Sequence, residues 1–169
     1  MQKRVFLALL LAWVATAPLW SASWAQADTL VGKVVAIADG DTVTVLDRDN
    51  RQHRIRLAGI DAPERRQPYY QPSRQHLAKL AFGRHVTVEW HKTDRYKRIV
   101  GNVLVAGEDV GLSQVRAGLA WWYRDYAREQ SSEDRRRYEA AENEARSQRR
   151  GLWQEPFPTE PKRFRRERR

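Results

Sequence analysis

Ala38-Asp39-Gly40-Asp41-Thr42-Val43-Thr44-Val45-Leu46 decides how this 169-residue chain is read. Asp39-Gly40 is a tight-turn signal. From Thr42 to Leu46, Thr and Val alternate with the period of two that belongs to a strand. Before the turn, Thr29 to Ile37 is apolar and β-branched. After it, Asp49-Asn50 marks a second turn, and His53 to Ile60 alternates again. There Ile55, Leu57 and Ile60 are apolar, while Arg54 and Arg56 share the opposite face. His85 to Trp90 and Ile99 to Val105 read as two later strands. Three hairpin-linked strands followed by two more predict a small, curved, partly closed barrel.

Helices interrupt and follow these strands. Ser73 reads as the N-cap of a helix with Leu77, Leu80 and Ala81 on one face, stopped by Gly83. Asp109 reads as the cap of a second helix running to Ala117, with Gly118 at its end. Ser131-x-x-Asp134 opens a third, a capping box with Asp in place of Glu. Its thin apolar stripe, Tyr138, Ala141 and Ala145, predicts a helix that docks lightly with a wide charged face. Residues 155–169 carry Pro156, Pro158, Pro161 and a run of Lys and Arg, and read as a basic disordered tail.

The N-terminus reads as a targeting segment. Lys3 and Arg4 precede an apolar run from Val5 to Ala15, Pro18 breaks it, and Ala25-Gln26-Ala27 has the form of a cleavage site. The run is shorter than the roughly 20 residues of a membrane span. Cleavage before Asp28 is expected, with export to the periplasm or the medium and no stable membrane association afterwards. The formal net charge is +10, and cleavage removes only two basic residues and no acidic one. The basicity therefore belongs to the working protein and suits a polyanionic partner. There is no cysteine, so neither a disulfide nor a lipidated Cys is available. The length suits one domain, 28–154, expected to be monomeric.

Asp39 and Asp41 flank the first turn, and Asp61-Ala62-Pro63-Glu64 places two more carboxylates just past a strand end. A turn alone accounts for Asp39 and Gly40, and a solvated loop accounts for the second acidic segment taken singly. Together they describe an oxygen-rich cluster that suits Ca²⁺ or Mg²⁺. Pro63 biases Ala62 toward an extended backbone, where its carbonyl can join such a cluster. Arg56, on the strand that delivers Asp61, reads as a phosphate clamp. Arg98 closes the charged turn Asp94-Arg95-Tyr96-Lys97-Arg98. The four histidines (His53, His76, His85, His91) are scattered without metal-ligand spacing. The sequence contains no zinc pattern, P-loop or serine-nucleophile motif.

These pieces resemble a known family. Asp39-Gly40-Asp41-Thr42-Val43, Arg56 to Glu64, Asp94 to Arg98, Gly118-Leu119-Ala120 and Gly151-Leu152-Trp153 are similar, in order, to the staphylococcal-nuclease-like (thermonuclease) domain. The resemblance runs from about residue 31 to residue 153. It implies a five-stranded OB-type Greek-key barrel with three helices, α+β but mainly β. It implies a Ca²⁺-dependent phosphodiesterase acting on DNA and RNA. By the same resemblance, Asp41 and Asp61 are metal carboxylates, Ala62 supplies a carbonyl ligand, and Asp39 is an outer carboxylate. Glu64 is the general base or water positioner, and Arg56 and Arg98 bind phosphate. Two departures stand out: Lys97 replaces a small turn residue, and the segment 65–72 is short.

Aromatic and basic residues near the second arginine complete the expectation. Arg95, Tyr96, Tyr123 and Tyr126 are candidate substrate contacts, whereas Trp121 and Trp122 are divided between core and surface roles. Stacking on such rings needs an exposed base face, so single-stranded or locally melted DNA and RNA are the expected partners. Two other readings remain: an OB-fold module that binds nucleic acid without cutting it, and a basic envelope-associated structural protein. Intact mass of exported material should match a chain starting at Asp28. A mass that includes residues 1–27 would refute the cleavage.

Overall fold

The computed structural model describes residues 28–168, so the expected signal peptide lies outside the described residues. Strands β1 (Asp28–Ile37), β2 (Thr42–Asp47) and β3 (Gln52–Leu57) form an antiparallel meander. A two-residue strand β4 (Ile60–Asp61) and helix α1 (Tyr70–Ala81) follow. Next come β5 (His85–Thr93) and β6 (Ile99–Val105), antiparallel to each other, with β5 also antiparallel to β1. Parallel pairing of β6 with β3 closes the five strands into a barrel. Register breaks in β1 between Val34 and Ala36, and in β5 between Trp90 and Lys92, supply the bends that closure needs.

The period-two pattern aims one face of each strand inward. Val34, Val43, Val45, Ile55, Leu57, Val88 and Val103 fill the barrel, each essentially inaccessible to water. A second layer caps it. After β7 (Glu108–Asp109) comes α2 (Val110–Arg116), then β8 (Trp121–Trp122), α3 (Ser132–Ser147) and α4 (Pro161–Glu167). Leu77 of α1, Val110 and Val115 of α2, and Tyr138 of α3 pack on the barrel core. No helix among the described residues is long and apolar enough to cross a membrane.

The predicted caps of α2 and α3 are present. The Asp109 carboxylate accepts from the N–H groups of Gly111 and Leu112 at 2.8 and 3.2 Å, and Ser131 Oγ accepts from Asp134 N at 3.0 Å. The start of α1 differs. It begins at Tyr70, behind Tyr69 with φ 65°, and Ser73 is a buried interior residue. The cause is tertiary: a Cβ on Gly40 would lie 1.9 Å from Ser73 Oγ and 2.8 Å from Ala62 Cβ. The turn between β1 and β2 thus packs directly on α1, at a distance only glycine allows.

Three further differences matter for the site. The strand expected to run to Ile60 ends at Leu57, because Gly59 (φ 71°) swings the chain into β4, which pairs with β8 instead. Trp121 and Trp122 of β8 are both buried and belong to the core. The segment 155–169, expected to be disordered, holds α4, so the described residues contain four α-helices. Pro161 at the start of α4 is preset for helix, and it is buried.

Gln114 of α2, fully buried, joins three elements. Its amide donates to Gly40 O at 2.7 Å and Ser73 O at 3.0 Å, while His76 Nδ1 lies 2.6 Å from its Oε1. Gln114→Leu should lower unfolding free energy by about 1–3 kcal/mol, because two buried carbonyls lose their donor. An unchanged urea midpoint would contradict this role.

Candidate functional site

The carboxylate of Asp41 is where the two acidic segments meet. Its Oδ2 accepts from Ala62 N at 2.8 Å, and its backbone carbonyl accepts from Leu57 N at 2.8 Å. The residue following it in β2, Thr42, stands opposite Arg56 of β3 in the sheet register. Arg56 Nη2 lies 3.3 Å from Asp41 Oδ2 and 3.3 Å from Asp61 Oδ1, and its Nη1 donates to Leu57 O at 2.8 Å. One guanidinium thus holds together carboxylates 20 positions apart in sequence, both nearly closed to solvent.

Arg98 joins from the other side. It is clamped by Asp94, with Nε donating to Oδ2 at 2.8 Å. Its Nη1 reaches Thr42 Oγ1 at 3.5 Å, and Thr42 Oγ1 in turn donates to Asp41 Oδ1 at 3.2 Å. Lys97, the departure noted in the sequence, takes φ 60° in a turn closed by Asp94 N to Arg98 O at 2.9 Å. Arg98 is therefore linked to Asp41 with Lys97 in place.

Asp39 sits beside this cluster and accepts from Asp41 N at 3.1 Å. Burial, and then the Asp41 charge, push its carboxyl up to about 6. Burial also raises Asp61, against the hydrogen bond from Arg165 and with the Asp41 charge adding to the rise. Negative charge is crowded here.

Arg165 of α4 is the residue that sequence reasoning missed. Its Nη1 and Nη2 bond the two oxygens of Asp61 at 3.0 Å each, and Nη1 also donates to Glu64 Oε1 at 2.5 Å. Glu64 therefore shares a guanidinium with Asp61. Nothing in a run of basic residues with proline distinguishes this arginine from its neighbours. Glu142 was missed in the same way. Wholly buried on α3, it accepts from Trp122 N at 3.1 Å and from Arg124 Nη1 at 2.7 Å, and so anchors β8 opposite Asp61.

The structure brings together Asp39, Asp41, Arg56, Asp61, Ala62, Glu64 and Arg98. What ties Ala62 in is its N–H to Asp41. Arg95 and Tyr96 lie at the tip of the 94–98 turn, bonded to each other at 2.8 Å, with Tyr96 62% exposed. Tyr123 and Tyr126 meet edge to face at 4.9 Å. Tyr123 lines a cleft of about 230 Å³ with Asp61, Arg124, Asp125 and Lys162.

The donor set is one of oxygens. Among the described residues no three His, Cys, Asp or Glu side chains form a ready metal cluster. Asp41 and Asp61 nevertheless place acidic oxygens around one point of positive charge, Arg56 Nη2. Two carboxylates so placed are oxygen donors of the kind a hard cation takes while keeping several waters.

The sequence from Arg54 to Glu155 matches the family model "Staphylococcal nuclease homologue". The chain belongs to this family. It is 44% identical to "Protein ParB" of Escherichia coli over 174 residues, covering 98% of this chain and 95% of that protein. It is 43% identical to "Micrococcal nuclease" of Shigella flexneri over 145 residues, covering 80% of each. An "Uncharacterized endonuclease" of Escherichia coli is 41% identical over 131 residues, covering 77% of this chain and 81% of that protein.

Proposed function

We propose that this chain is an exported, Ca²⁺-dependent nuclease that hydrolyses phosphodiester bonds of single-stranded or locally melted DNA and RNA. The observation that carries the reading is Arg56 bridging Asp41 and Asp61, with Glu64 beside Asp61. Family membership and relatives with nuclease names support it. The signal-like N-terminus supports export, and a single basic domain supports a monomer.

Asp41 and Asp61, with the Ala62 carbonyl, would hold the cation. Bound there, Ca²⁺ supplies Lewis-acid polarisation of a phosphate oxygen. The residues do the rest. Arg56 and Arg98 bond the other phosphoryl oxygens and the charge that grows on them in the transition state. Glu64 orients a water in line with the scissile bond and takes its proton as the water oxygen bonds to phosphorus. The bond from phosphorus to the leaving oxygen breaks, and that oxygen is protonated from solvent. Tyr96 and Tyr126, both exposed, offer faces for base stacking, a sequence-tolerant contact worth about 1–3 kcal/mol per base.

Digestion of single-stranded DNA by the purified protein, with Ca²⁺ or with chelator, tests the reading. Cleavage should require Ca²⁺. Glu64→Gln should lose a large part of the rate, and Arg56→Ala or Arg98→Ala roughly 10²–10³ of it, the scale for one transition-state donor. Near-normal turnover in Glu64→Gln would remove its catalytic role. Binding without cleavage would assign the chain to the non-catalytic nucleic-acid holders instead. Saturating Ca²⁺ should also raise Tm, since it binds the folded state alone. A flat melting curve would count against the metal site.

A further inference from the structure

We propose that the C-terminal segment is an autoinhibitory plug, in which Arg165 occupies Asp61 and Glu64 until α4 lifts off. The inference rests on the functional reading of those two carboxylates. Arg165 uses both oxygens of Asp61 and the Oε1 of Glu64, across more than a hundred residues of sequence. With the guanidinium seated, a cation at Asp61 would face a positive charge within bonding distance of the same oxygens. One of the two Glu64 oxygens that could take a proton from water already accepts a hydrogen bond from Arg165. The docked helix therefore sets a guanidinium where a cation would meet Asp61 and against one oxygen of Glu64.

The docking rests on a small set of contacts. Gln67 Nε2 donates to Thr159 O at 2.6 Å, Lys162 pairs with Asp125, Pro161 is buried and Phe164 half-buried. Beyond these, α4 is seven residues long with exposed Arg163 and Arg166. Phe157 in the strap leading to it is 93% exposed. Short elements with few buried apolar contacts open at small free-energy cost. What the site loses on opening, a polyanion can replace: Lys162, Arg163, Arg165, Arg166 and Arg168 are spaced along one short segment and would bind phosphates once free. Nucleic acid and the cation would then open the site in concert, the first drawing off the helix and the second taking Asp61.

Calorimetric titration of the purified full chain with CaCl₂ alone, without nucleic acid, tests this. Arg165→Ala should bind Ca²⁺ about ten-fold more tightly than the parent, as expected when the docked form holds about nine molecules in ten. Arg163→Ala, whose partner Glu167 lies on the same helix, should bind like the parent. Hydrogen exchange of the 161–167 amides in the parent should quicken on adding saturating Ca²⁺. Equal or weaker Ca²⁺ binding by Arg165→Ala, or exchange that ignores Ca²⁺, overturns the plug. If the plug fails while the parent still cleaves with Ca²⁺, the nuclease reading stands. If Arg165→Ala binds Ca²⁺ more tightly and neither protein cleaves, the nuclease reading fails, autoinhibition falls with it, and Arg165 is left as a block to the cation alone.

Discussion

The buried carboxylate of Asp41 is the contact on which the rest depends. It accepts from Ala62 N, its neighbour Thr42 from Arg98, and its charge is met by Arg56. Ionised carboxylates leave water only when hydrogen-bonded and paired. Meeting that demand draws the β1–β2 turn, the end of β3 and the β4 segment to one place. Gly40 is the steric condition for it, since any side chain there would strike Ser73 and Ala62. The acidic cluster and the local fold are thus one arrangement.

Charge is distributed unevenly across this site. Three carboxylates, Asp41, Asp61 and Glu64, face two guanidinium groups that come from different ends of the chain. Arg56 belongs to the barrel, on a strand paired on both sides. Arg165 belongs to a seven-residue helix outside the barrel. Two cations of the same chemistry thus reach the same carboxylate from different elements, one a barrel strand and one a short helix. The exposed aromatics form a separate rim: Tyr96 beside Arg95 and Arg98, Tyr126 beneath Lys92 at 5.0 Å.

Much of the barrel was legible because its rule is local. Alternation in β2 and β3 reports a strand with one wet face, and β6 runs over the residues its pattern indicated, Ile99–Val105. The caps Asp109 and Ser131 were legible for the same reason, as each bonds N–H groups two or three residues ahead. Ser73 misled because a serine before an apolar face has the form of a cap, and only the approach of Gly40 explains its burial. Trp121 and Trp122 follow a turn and read as half-exposed. Pairing of β8 with β4 buries them, and that pairing depends on the left-handed Gly59.

Composition and pattern by themselves determined a basic, cysteine-free, mainly β domain with carboxylates at two strand ends and an arginine between them. Those properties follow from residue type and short-range periodicity. Tertiary structure alone decided that Asp41 and Asp61 share one guanidinium, that Arg98 joins them through Thr42, and that Glu142 anchors β8 from inside the core. It alone decided that Arg165, one arginine in a basic run, closes on Asp61 and Glu64. The reason is physical. A buried charge selects its partner by distance in space and by the loss of water around it, and neither quantity exists along the chain before it folds.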